Sequence, residues 1–152
     1  MDKKVIIQYT NINQIFMESI MTKKGERHRL SLIIATLGPS TDNEKELITM
    51  ITAGIARQWT DGVDIARVVH NDGESTVIDR VNIFREQCSK RNFNTSIYLD
   101  TDDTNAINLQ KYLELAKTIK PKYISIPKTF GIDVINETKK TFQDSMLVGV
   151  RV

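Results

Sequence analysis

The chain has a single cysteine, Cys88, so no disulfide can form within it. Cys88 falls in an apolar helical pattern, where a small core residue is expected rather than a reactive thiol. Neither sign of charge dominates: 21 basic residues stand against 19 acidic ones, a net charge of +2. That balance excludes the dense basic surface needed to track a nucleic-acid backbone. The Lys-Lys pairs at 3–4, 23–24 and 139–140 mostly have acids nearby and read as solvated faces. No apolar run approaches the roughly 20 residues of a membrane-spanning helix. The start, Met1-Asp2-Lys3-Lys4, leads into a stretch too polar for a signal-peptide core. His28 and His70 are the only histidines, with no third ligand at metal spacing, so a zinc site is not expected. There is no phosphate-binding Walker loop, no dinucleotide glycine fingerprint and no serine nucleophile elbow. The expectation is a cytoplasmic protein with neither nucleic-acid nor membrane partners.

What is present suits one domain. The 152 residues are 40% hydrophobic, enough for a real core in a chain of this length. Residues 1–30 read as a leader, with Ile12, Ile15, Phe16 and Ile20 on one face of a short helix. From 31 to 152 short strands alternate with helices. Strands are expected at Leu30–Thr36, Val63–Val69, Ser96–Asp100, Tyr123–Ile126 and Met146–Val152. Thr41-x-x-Glu44 has the form of a capping box and should start the first helix. Val77, Val81, Phe84 and Cys88 fall at helical spacing after Gly73. A third helix spans about 106–120 with Leu109, Leu113 and Ala116 on one side, stopped by Pro121. A fourth covers about Ile132–Phe142. Strands alternating with helices imply βαβ units, a parallel sheet and right-handed crossovers. The predicted fold is therefore α/β: a partial (β/α) barrel of about five parallel strands and four crossover helices, plus the helical leader.

Three segments carry a family resemblance. Ala35-Thr36-Leu37-Gly38-Pro39-Ser40, Ile65-Ala66-Arg67 and Leu99-Asp100-Thr101 occur in order and resemble the first strands of the pyruvate kinase barrel. The resemblance runs from about Leu30 to the C-terminus and weakens after Asp103. Active sites of such barrels sit at the C-terminal strand ends. The resemblance implies that Thr36, Pro39 and Arg67 lie on the nucleotide and phosphate side. It implies a potassium site at Asn71, Asp100 and Thr101, degenerate because Val69 stands where the family has an oxygen ligand. Asp102-Asp103-Thr104 replaces the family's Lys-Gly-Pro and inverts the local charge, which should repel a phosphorylated substrate. The family's catalytic lysine and metal-binding glutamate would fall at Val150 and Val152. A one-residue shift would offer Arg151, a poor substitute because it cannot lose its proton. No further carboxylate follows in this chain, and the separate β-domain that the family inserts after strand three is missing.

Residues near 55–62 look like an insertion and carry Trp59, read either as a core cap or as a contact anchor. Asp72, Asp100, Asp102 and Asp103 offer carboxylates for a cation-binding group of a small hydrolase, but a solvated loop is the plainer reading. The expected function is a non-catalytic, pyruvate kinase-like interaction or regulatory module. The alternative is a binder of a phosphorylated ligand or nucleotide, or a residual phosphotransferase, using Arg67 and the strand-end acids. No cofactor is expected, potassium being the one the resemblance leaves open. Five strands do not close an eight-stranded barrel, so a homo-oligomer formed through an open sheet edge is the expected state, with a cellular protein as a further partner. Rich Ile, Lys and Asn usage fits an AT-rich bacterial or phage genome.

Overall fold

The computed structural model describes residues 32–53, 62–101, 108–142 and 145–151. The expected leader, Trp59, His28, the Asp102-Asp103 pair and Val152 lie outside these residues.

Five strands form one sheet in the order β1 (Ile34–Thr36), β2 (Ile65–Val69), β3 (Ser96–Asp100), β4 (Tyr123–Pro127) and β5 (Leu147–Arg151). Every neighbouring pair is parallel. The sheet is open, with β1 and β5 as its two edges. Four helices alternate with the strands among the described residues: α1 (Glu44–Thr52), α2 (Glu74–Lys90), α3 (Leu109–Ile119) and α4 (Gly131–Phe142). Right-handed crossovers in sequential order place every helix on the same side of a parallel sheet. The burial pattern agrees. Ala66, Val68, Ile97, Leu99, Ile124, Ile126 and Val148 share one core with Ile51, Val81, Phe84, Tyr112, Ile119, Ile135 and Phe142 from the helices.

The pleat sends the remaining strand residues to the opposite face. The register aligns Thr36, Arg67, Tyr98, Tyr123 and Leu147 across the five strands as one row. One step further along, Val69 pairs with Asp100 and Ser125 with Gly149, and a step beyond that Pro127 pairs with Arg151. Among the described residues no helix covers this second face. Ile65 and Tyr123 are buried on it, whereas Ile34 and Leu147 each remain 39% exposed.

Local signals explain most boundaries. α2 buries Val77, Val81, Phe84 and Cys88, the four residues at helical spacing. Gly73 caps it at φ +89°, a left-handed conformation that suits glycine. Two expectations need correction. The Thr41 hydroxyl does not start α1; it accepts from Gly38 N at 2.9 Å and donates to Gly38 O at 2.9 Å, closing a one-turn 3-10 helix. Asn43 caps α1 instead, its Oδ1 accepting from Lys45 N at 2.8 Å. In α3 the buried face is Tyr112, Leu115, Ala116 and Ile119, with Leu109 and Leu113 only packed against its margin.

Two side-chain links tie the layers together. Arg80, buried on α2, donates to both oxygens of Asp42 at 2.5 and 2.8 Å, holding the turn after β1 against the helix. That hydrogen bond holds the Asp42 carboxyl below its usual pKa. Tyr112 lies fully buried with its hydroxyl 2.9 Å from both Leu99 O and Ser125 O, so α3 is hydrogen-bonded to the ends of β3 and β4.

Candidate functional site

The C-terminal strand ends of the bare face carry the chain's densest polar cluster among the described residues. Asp100 is its centre. Strand β3 ends there with its side chain on the bare face, because Leu99 points to the helices and successive residues alternate. Arg67 reaches across from β2: its Nε donates to Asp100 Oδ2 at 2.8 Å, and its Nη2 lies 2.6 Å from the same oxygen. Arg67 Nη1 donates to the Thr36 hydroxyl on β1 at 3.2 Å. From the other side, Arg151 on β5 donates Nη1 to Asp100 Oδ2 at 3.1 Å. The second carboxylate oxygen accepts from Ser125 Oγ on β4 through a short hydrogen bond, and from Thr101 N at 2.9 Å. One network therefore links all five strands.

Its electrostatics follow from the partners. Burial alone would push the Asp100 carboxyl up, but the hydrogen bonds from Ser125, Arg67 and Tyr98 and the Arg67 charge outweigh it, leaving the pKa below its usual value. Burial also raises the neighbouring Tyr98 hydroxyl to about 12, so it stays protonated and serves as a donor. Two guanidinium groups, of Arg67 and Arg151, share the one Asp100 carboxylate.

The residues singled out for phosphate binding separate here. Thr36 and Arg67 do meet, whereas Pro39 lies exposed in the following 3-10 turn, outside the network. Arg67 turns its donors toward its own protein, onto Asp100 and Thr36. Of the expected potassium ligands, Asn71 is exposed on the turn after β2, and Thr101 Oγ1 is buried with no hydrogen-bond partner. The Asp100 carboxylate is already met by two guanidiniums, which would repel a cation placed beside it. The arrangement does not fit potassium. Among the described residues no group of three or more His, Cys, Asp or Glu could hold a metal ion.

The strand-five register is also decided here. Leu147, Gly149 and Arg151 belong to the bare face, while Val148 is in the helix-side core and Val150 packs against it. The inward strand end is therefore Arg151, not Val150. Sequence reasoning undervalued Arg151 and did not single out Ser125, though alternation in β4 and β5 carries the signal for both. His70, expected as a plain surface residue, is half-buried and packs edge-on against the Tyr112 ring, with centroids 5.5 Å apart. Its Nδ1 is buried without a hydrogen-bond partner. Cys88 is buried and its thiol pKa is raised by that burial, as befits an inert core thiol.

Below the cluster, the bare face holds a cavity of about 200 Å³. Ile65, Tyr98, Tyr123 and Leu147 form its walls, and Ser125 and Arg151 its polar end.

Fold and cluster together define an α/β protein with an unclosed parallel sheet, one face of it without a helix among the described residues, and a charged strand-end network. No known family and no curated protein matches the chain in sequence. Among the described residues no helix is long and apolar enough to cross a membrane.

Proposed function

We propose that the chain is a non-catalytic, pyruvate kinase-like interaction or regulatory module that associates through the uncovered face and open edges of its sheet. The carrying observation is the bare face. Parallel sheets are ordinarily covered on both sides, yet among the described residues helices cover one, and Ile34 and Leu147 stay 39% exposed on the other. β1 and β5 are the two edges of the sheet among the described residues, and open edges can recruit another strand. A second copy of the chain is the favoured partner, and a cellular protein the next. Phosphoryl transfer is disfavoured because Arg67 is engaged by Asp100 and because β5 presents an arginine in place of a titratable lysine.

One observation favours the alternative, a phosphorylated-ligand or nucleotide binder: Thr36 and Arg67 converge. Light scattering separates the two. The purified chain should be an oligomer whose mass is unchanged by phosphoenolpyruvate, ADP, magnesium and potassium. The double variant Ile34→Lys, Leu147→Lys should be smaller. A monomeric wild type would overturn self-association, and a mass that shifts with phosphorylated ligand would favour the alternative.

A further inference from the structure

We draw no further inference here: the strongest candidate, the apolar cavity on the bare sheet face beside Tyr98, Tyr123 and Gly149, is lined by the same Ile34 and Leu147 that the proposed self-association uses, and nothing in the structure shows what covers it.

Discussion

Asp100 touches side chains from β2, β4 and β5 while sitting at the end of β3. Asp100→Asn would remove the carboxylate charge that Arg67 and Arg151 share. Buried pairs broken on one side cost about 3–5 kcal/mol. Arg67 and Arg151 are partly solvated, so roughly 2 kcal/mol is expected, measured by urea denaturation at neutral pH. The pH dependence has a definite sign. The folded pKa of Asp100 lies below its ordinary 3.8, so its contribution is present above that value and lost as pH falls through the lower folded one. Asp42, lowered by Arg80, adds loss in the same acid window. Wild type should therefore lose stability below about pH 4 more steeply than Asp100→Asn, which lacks the Asp100 part. Parallel acid curves for the two proteins would refute this assignment. At Gly62 the constraint is steric: a Cβ would stand 2.4 Å from the carbonyl oxygens of Met50 and Ile51. Gly62→Ala should cost about 2 kcal/mol, read as a lower urea midpoint. Nothing in the residues around Gly62 announces that approach, since the clash comes from α1, more than ten positions away in the chain.

At the scale of elements, strands and helices were largely legible. β3 was expected at its observed bounds, and Val77, Val81, Phe84 and Cys88 all face the core as their spacing required. The errors are informative. The pattern Thr41-x-x-Glu44 had a competing solution, in which the Thr41 hydroxyl satisfies Gly38 and leaves Asn43 to cap α1. Asn43→Ala should therefore cost about 1 kcal/mol by urea denaturation. In α3, hydrophobicity favoured Leu109 and Leu113, but the buried position went to Tyr112, whose hydroxyl has carbonyl acceptors waiting on β3 and β4. Those carbonyls become partners only once three elements are packed. Tyr112→Phe should cost about 1–2 kcal/mol, because it leaves buried acceptors without their donor. A stability equal to wild type would show that the hydroxyl contributes nothing net.

For the whole molecule, the proposed association through the open sheet would tie stability to protein concentration. If a second copy covers the bare face, the thermal midpoint rises with protein concentration, because association draws on the folded state alone. A midpoint constant over a hundredfold range of concentration would count against self-association. The amino-acid sequence by itself determined the alternation of strands and helices, the parallel sheet and the helix-side core, because these rest on local periodicity and on short connections. It also marked Thr36, Arg67 and Asp100. Tertiary structure alone decided what those residues do. Pairing β4 with β5 in register put Arg151 and Ser125 beside Asp100, turned Arg67 inward to a protein carboxylate, and left a cavity at Gly149. The partners in that cluster are 25 to 51 positions apart in the chain. No local pattern encodes such distances; strand order and register do.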